Sequence, residues 1–131
     1  MHISRRSLLK APCAAVLAGT VQQAGAPKGS QTMFGLIGKM KAVAGQREAL
    51  IGILLEGTRS MPGCLSYIVA RDTSDPDGIW ITEVWDSRES HAASLKLPAV
   101  QEAISRGRPL IAGFGERFET EPVGGVGLPK A

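Results

Sequence analysis

Residues 62–87, which read PGCLSYIVARDTSDPDGIWITEVWDS, constrain the fold more than any other stretch of the chain. Two segments rich in β-branched and aromatic residues, at Cys64–Arg71 and Ile79–Trp85, flank a polar loop at residues 72–78. Proline and glycine in this loop prevent either segment from continuing through it. The pattern therefore predicts a β-hairpin, and the rest of the chain must supply the elements that cover it.

Glu83 is the unusual residue of the second predicted strand. Because side chains alternate along a strand, Glu83 shares one face with Ile81 and Trp85. Both faces of the hairpin are mostly apolar, so we expect both to be covered. A carboxylate on a covered strand is costly unless it is paired or hydrogen-bonded. Glu83 is therefore a candidate functional residue, and the alternative is a structural pairing with an arginine or a backbone amide across a dimer.

Residues 1–26 differ in character from the rest of the chain. A pair of adjacent arginines is followed by a weakly apolar run at residues 11–21 and by a small-x-small pattern that ends at Ala26. This arrangement is typical of a twin-arginine export signal. The apolar run is too short and interrupted to span a bilayer, which needs about 20 residues. We expect a signal peptide at residues 1–26, a tether at residues 27–32 and a periplasmic protein without a membrane anchor.

Removal of the signal changes the charge of the chain. Three of the 15 basic residues, Arg5, Arg6 and Lys10, lie in the signal, which contains no acidic residue. This leaves 12 basic residues against 12 acidic ones, a net charge of zero. No basic run with interleaved aromatic residues remains, so nucleic-acid binding has no support.

The same cleavage leaves one cysteine and one histidine. Cys13 and His2 are in the signal, and Cys64 and His91 remain. One cysteine cannot form an intramolecular disulfide, and one chain cannot supply a His/Cys metal site of ordinary spacing. No glycine-rich phosphate loop opens a helix, so a nucleotide-binding fold is not indicated.

The remaining segments complete an α+β domain at residues 33–122, followed by a flexible glycine-rich tail at residues 123–131. Apolar periodicity and breaker residues predict three helices and two further strands. In chain order these are a strand at 33–42, helices at 46–61, 88–97 and 99–106, and an edge strand at 115–122. The order with the hairpin is β-α-β-β-α-β, a ferredoxin-like arrangement. The sheet face that the helices leave open most simply meets a second copy, which predicts a two-fold dimer.

The P-G-C-L-x-Y opening of the hairpin and its E-V-W-D-S close resemble the antibiotic-biosynthesis monooxygenase family, in its small quinol-monooxygenase-like branch. The likeness extends from about Met33 to Pro122. It implies a dimeric α+β barrel and chemistry without metal, flavin or haem. The implied substrates are dioxygen and a small electron-rich aromatic, a quinol or an anthrone-like phenol. A protein base removes the phenolic proton, and the substrate carbanion itself reduces dioxygen.

His91 and Glu83 are the candidate bases. His91 is the only imidazole after the signal and lies on the helix that follows the Trp85 strand. The family usually places its histidine one turn later, at the position that Ser94 occupies here. Residues three apart share a helix face, so His91 can reach the same pocket, with Ser94 as a substrate contact. The alternative is a solvent-exposed His91.

Tyr67 and Trp85 are the candidate walls of a substrate pocket. If the hairpin pairs simply, Tyr67 lies beside Glu83, and its hydroxyl could orient a phenolic substrate. It could equally be a core tyrosine bonded to a carbonyl. Two other functions stay open, namely an isomerase of small carbonyl compounds and a dimer that binds a small hydrophobic molecule without turnover.

Overall fold

The structure is a computed structural model that describes residues 32–129. The predicted signal at residues 1–26 and the predicted tether up to residue 31 lie outside this range. Within it, no helix is both long enough and apolar enough to cross a membrane. Residues 123–129 contain no helix or strand, and the flexibility of the tail stays a prediction.

Four strands and three helices form the α+β fold that the sequence predicts. The elements are β1 (Phe34–Ala42), α1 (Arg47–Gly57), β2 (Cys64–Arg71), β3 (Gly78–Trp85), α2 (Arg88–Ser94), α3 (Pro98–Gly107) and β4 (Ile111–Thr120), with a 3₁₀ turn at Arg108–Leu110. The strands make one antiparallel sheet in the order β2-β3-β1-β4. This is the ferredoxin-like arrangement, and the fold prediction is confirmed.

The helix bounds differ from the prediction at two C-terminal ends. The first helix ends at Gly57 rather than at residue 61. The backbone of Gly57 lies against Ala103 of α3, where a side chain would not fit. The Thr58 hydroxyl then donates to the Leu54 carbonyl at 2.7 Å. The helix after the hairpin ends at Ser94 rather than at residue 97, in a turn that leads directly into α3.

The last strand starts at Ile111, four residues earlier than predicted. Ile111 pairs with Ala42 at the end of β1, so β4 extends along nearly the whole of that strand. Two register shifts interrupt the ladder. Small residues around these shifts weaken the alternation of apolar and polar side chains by which a strand is identified in a sequence.

The helices cover one face of the sheet and bury two apolar groups of residues. The Leu50 cluster consists of Ala42, Leu50, Ile79 and Ile81, and the Trp85 cluster consists of Phe34, Leu36 and Trp85. Glu83 lies between Ile81 and Trp85 on the same face of β3. Its carboxylate therefore sits at the boundary between the two clusters.

Within residues 32–129 of one chain, no helix or strand covers the opposite face of the sheet. Cross-strand pairing aligns Ile68, Thr82, Ile37 and Phe118 in one row across all four strands. At the two ends of this row, Ile68 is 54% exposed and Phe118 is 55% exposed. The expectation that both hairpin faces are covered is therefore not met within a single chain.

The hairpin loop is held by its own acidic residues. One carboxylate oxygen of Asp72 accepts hydrogen bonds from Ser74, and the other accepts from Lys39 and from the indole of Trp80. The backbone N–H of Ser74 is the main reason that the pKa of Asp72 lies well below its ordinary value. The Asp72 carboxylate is structural, because donors of the loop, of β1 and of β3 occupy it.

Candidate active site

Glu83 occupies the centre of the covered sheet face. In the strand register it pairs with Tyr67 of β2 on one side and with Leu36 of β1 on the other. The hairpin pairing thus brings Tyr67 and Glu83 together, and one bulge between Cys64 and Ser66 adjusts the register at the start of β2, away from the hairpin loop. The side chain of Glu83 is 16% exposed, so its charge is largely withdrawn from water.

The Glu83 carboxylate is satisfied within its own chain. The indole N–H of Trp85 donates to Oε2 at 2.8 Å, and Nε2 of His91 lies 3.8 Å from the same oxygen. A separation of 3.8 Å is too long for a hydrogen bond but allows an ion pair once the imidazole is protonated. The alternative in which an arginine or a backbone amide across a dimer pairs with Glu83 stays a prediction, because the structure contains one chain.

His91 faces the sheet, with its side chain 17% exposed, so the solvent-exposed alternative is wrong. Its ring lies 5.3 Å from the ring of Phe34 and 5.5 Å from that of Trp85, in tilted and edge-on geometry. Helix α2 begins where the hydroxyl of Ser87 accepts the backbone N–H of Ser90. This cap fixes the start of α2, and with it the direction in which His91 points.

Ser94 lies one turn after His91 and is buried, with 4% of its surface exposed. Its hydroxyl donates to the carbonyl of His91 at 2.6 Å. A serine hydroxyl has one proton to donate, and this contact uses it. The structure thus places Ser94 beside the backbone of His91, with its donor engaged inside the helix.

Tyr67 packs against the Leu50 cluster, and its hydroxyl makes no hydrogen bond to the residues that the structure describes. Burial, and then the neighbouring charge of Glu83, raise the pKa of Tyr67 well above its ordinary value. The phenol is therefore a neutral hydrogen-bond donor at neutral pH. The alternative in which a core carbonyl accepts this hydroxyl is not observed.

Cys64 is part of the same neighbourhood and is unsuited to nucleophilic chemistry. It packs against the Trp85 cluster, and its thiol lies 3.6 Å from the carbonyl of Ser66. Burial, and then the charge of Glu83, raise the pKa of the Cys64 thiol. A thiol that resists ionisation is a poor nucleophile, which agrees with the expected role of a small buried residue.

Three residues near His91 were not identified from the sequence. Phe34 stacks on the imidazole, the guanidinium of Arg88 lies 4.3 Å from the centre of the Phe34 ring, and Glu119 pairs with Arg88 at 2.9 Å. The position of Arg88, three residues before His91 on one helix, was an available signal. Phe34 and Glu119 reach the site only through strand register, which the sequence does not specify.

A metal has no evident ligand set here. No group of three or more His, Cys, Asp or Glu side chains within residues 32–129 is arranged to hold an ion. The groups that the site does offer are one carboxylate, one imidazole, one phenol and the aromatic faces of Phe34 and Trp85. This set suits proton transfer to or from a flat aromatic molecule.

Comparison with known proteins places this arrangement in a family. The pattern described as "Antibiotic biosynthesis monooxygenase" matches residues 33–106, which contain the elements from β1 to near the end of α3. A "putative antibiotic biosynthesis monooxygenase" from Chloroflexus aurantiacus is 68% identical, with a TM-score of 0.73. The match covers 75% of this chain and 100% of that one.

More distant relatives share the fold. A protein of the same description from Caulobacter crescentus has a TM-score of 0.65 at 18% identity, over 72% of this chain and 92% of that one. An uncharacterized protein from Synechocystis sp. is 26% identical over 88 residues, which is 65% of this chain but only 60% of the relative. The family match contains Tyr67, Glu83, Trp85 and His91. The chain belongs to the antibiotic biosynthesis monooxygenase family.

Proposed function

We propose that the protein is a cofactor-independent monooxygenase of a small electron-rich aromatic, a quinol or an anthrone-like phenol. The observation that carries the proposal is the Glu83–His91 pair, which lies at 3.8 Å on a largely covered sheet face beside aromatic rings. Membership of the family supports the class of reaction, and the chemistry of the side chains supports the class of substrate.

The first step is removal of the phenolic proton. A neutral imidazole of His91 accepts the proton, and the resulting imidazolium is stabilised by the carboxylate of Glu83. The indole of Trp85 holds that carboxylate in place through its hydrogen bond to Oε2. Partial burial strengthens the attraction between the two charges, because little water screens them.

The second step needs no group of the protein to change its oxidation state. The deprotonated aromatic is electron-rich at the ring carbon, which transfers electrons to dioxygen and forms a carbon–oxygen bond. In an anthrone, the CH₂ carbon that becomes a C=O carbon loses four electrons, and dioxygen takes up four. In a quinol, one ring C–H becomes C–OH and the two hydroxyls become carbonyls, which also releases four electrons to dioxygen. One oxygen atom stays in the product and the other leaves as water, with the proton returned from His91.

Tyr67 and Trp85 position the substrate in this proposal. The neutral phenol of Tyr67, unpaired within residues 32–129, donates to an oxygen of the substrate. Trp85 contributes an aromatic edge, and Ser94 supports the backbone of α2 beneath His91. Positioning of this kind can contribute a large part of the rate enhancement without covalent participation.

Oxygen consumption is the test of the function. The protein, stripped of metal by a chelator, is mixed with a panel of reduced quinols and anthrones, and the rate is compared with autoxidation. Uptake at least about a hundred times the autoxidation rate supports the proposal. Heat-denatured protein at the same concentration is the control. Isomerisation of a small carbonyl compound without oxygen uptake, or binding without turnover, would contradict it.

We also propose that the protein is a homodimer through the open sheet face. Ile68 and Phe118 lie at the two ends of the exposed row, and each side chain is more than half exposed. Apolar side chains on an unpartnered sheet favour burial against a second copy by two-fold symmetry. A dimer over this face would cover the second side of the hairpin.

Phe118→Asp is expected to weaken the dimer by about 2 kcal/mol or more, because it puts a charge into an apolar interface. Sedimentation velocity over a concentration series measures the change. Leu55→Asp is a matched control, since Leu55 of α1 is 51% exposed on the helix side of the molecule. A wild-type monomer, or equal effects of both variants, would contradict the proposed interface.

Export by the twin-arginine route is a proposal from residues 1–26. It would deliver a folded protein to the periplasm, without a membrane anchor once the signal is removed. N-terminal sequencing of the periplasmic protein tests it. A chain that starts at Pro27 supports the proposal, and a retained Met1 would contradict it.

A further inference from the structure

Arg88 and His91 share one face of α2 and one aromatic ring. They are three residues apart in the helix, so both point toward β1. The guanidinium carbon of Arg88 lies 4.3 Å from the centre of the Phe34 ring, and the imidazole of His91 lies 5.3 Å from the same ring. Phe34 thus contacts both the arginine and the histidine, and a movement of Arg88 would change the packing of the ring on which the imidazole rests.

Arg88 also binds a second carboxylate on the covered sheet face. Its two terminal nitrogens donate to the two oxygens of Glu119 on β4, at 2.9 and 3.3 Å. In the strand register Leu36 lies between Glu83 of β3 and Glu119 of β4. The two carboxylates therefore belong to one row across the sheet, on either side of β1.

Arg88 links Glu119 to the surroundings of His91, because it pairs with Glu119 and lies over the Phe34 ring that contacts the imidazole. The hydrogen bond from Arg88 is the main reason that the pKa of Glu119 lies below its ordinary value, and the charges of Arg117 and of a protonated His91 lower it further. The charged groups around the imidazole are thus Glu83 on β3, Glu119 with its neighbour Arg117 on β4, and Arg88 on α2. From β1 only Phe34, which has no charge, stacks on the imidazole.

We propose that Arg88 and Glu119 form a positioning pair for His91, which leaves Glu83 as its only free carboxylate partner. The arginine neutralises Glu119 and presses Phe34 against the imidazole. Without it, Glu119 would compete with Glu83 for the protonated ring. The role of His91 as base rests on the proposed function, whereas the positioning itself does not.

The solvent exposure of Arg88 and Glu119 distinguishes a positioning role for this ion pair from a role in folding stability. The side chains of Arg88 and Glu119 are 62% and 48% exposed, and ion pairs of such exposure add little to folding stability. A change in the behaviour of His91 would therefore not be a consequence of unfolding. The chain also contains a matched pair, Arg71 and Glu48, with two hydrogen bonds of 2.7 Å and both side chains 60% exposed.

The test compares Arg88→Ala, Glu119→Gln and the control Arg71→Ala in the full-length protein. The imidazole of His91 is titrated by NMR, with His91→Ala to assign its signals. Arg88→Ala removes a positive charge and frees Glu119, so the titration midpoint moves to higher pH. Glu119→Gln removes a negative charge and frees Arg88, so the midpoint moves to lower pH. Arg71→Ala leaves the midpoint at the wild-type value.

Turnover gives a second readout. In Arg88→Ala we expect kcat for oxygen uptake to fall about tenfold, because the imidazole is displaced, while KM is nearly unchanged. Midpoints that move in the same direction in both variants, or that stay at the Arg71→Ala value, would overturn the positioning role. If the wild-type protein consumes no oxygen, the proposed function fails, and the NMR titration still decides whether the pair acts on His91.

Discussion

Replacement of His91 by alanine is expected to lower oxygen uptake by about 10²–10⁴-fold, the range that general-base catalysis contributes. His91 is the imidazole that lies 3.8 Å from the Glu83 carboxylate, and removal of the ring removes the group that accepts the phenolic proton. The fold should persist, because the rest of α2 contributes little apolar surface to the core: its one buried residue is Ser94. Stopped-flow oxygen consumption at a fixed substrate concentration measures the loss.

The companion variant Glu83→Gln distinguishes the two candidate bases. Glutamine keeps the shape of the side chain and can still accept from Trp85, but it cannot stabilise an imidazolium or take a proton. If His91 is the base, Glu83→Gln should reduce uptake less than His91→Ala does. If His91→Ala retains uptake while Glu83→Gln abolishes it, the base is Glu83. Lys96→Ala, on the exposed turn after α2, is the control and should behave as wild type.

The fold could be predicted because local signals agree with the global arrangement. The Asp-rich loop between two β-branched segments specifies the hairpin, and the helices follow from their periodicity and breakers. The alternation of side chains along the second hairpin strand placed Glu83 on the same face as Trp85. In the structure, the indole N–H of Trp85 donates to the Glu83 carboxylate. The simple pairing that puts Tyr67 next to Glu83 is also observed.

The surroundings of His91 could not be predicted, because they depend on contacts between distant strands. Phe34 reaches the imidazole from the first strand and Glu119 from the last, and β4 joins β1 with two register shifts. A shift of one residue would turn Glu119 to the other face of the sheet. The alternation of side chains in a sequence tells which residues share a face of a strand. It does not tell how that strand is aligned with the neighbouring strand.

Trp85→Ala is expected to lower the free energy of unfolding by about 3–5 kcal/mol, the usual cost of deleting a large aromatic side chain from a core. Trp85 is 1% exposed and belongs to the cluster that includes Phe34 and Leu36. Trp85→Phe keeps most of this packing and removes only the indole N–H, so we expect a smaller loss of about 2 kcal/mol, typical of a hydrogen bond to a charged group. Chemical denaturation at one fixed protein concentration measures both variants, since a dimer would make stability depend on concentration.

A double-mutant cycle with Glu83→Gln separates the two roles of Trp85. In Trp85→Phe the Glu83 carboxylate stays on the covered face without its 2.8 Å donor, and an unpaired charge there is costly. Removal of that charge in Trp85→Phe/Glu83→Gln should therefore recover part of the loss, with a coupling energy of about 1 kcal/mol or more. Strict additivity would mean that the indole N–H does not stabilise the carboxylate and that Trp85 acts by packing alone. The Glu83 carboxylate is the proposed partner of His91. Coupling would therefore also mean that the hydrogen bond from the Trp85 indole fixes the position of the negative charge on which proton transfer to His91 depends.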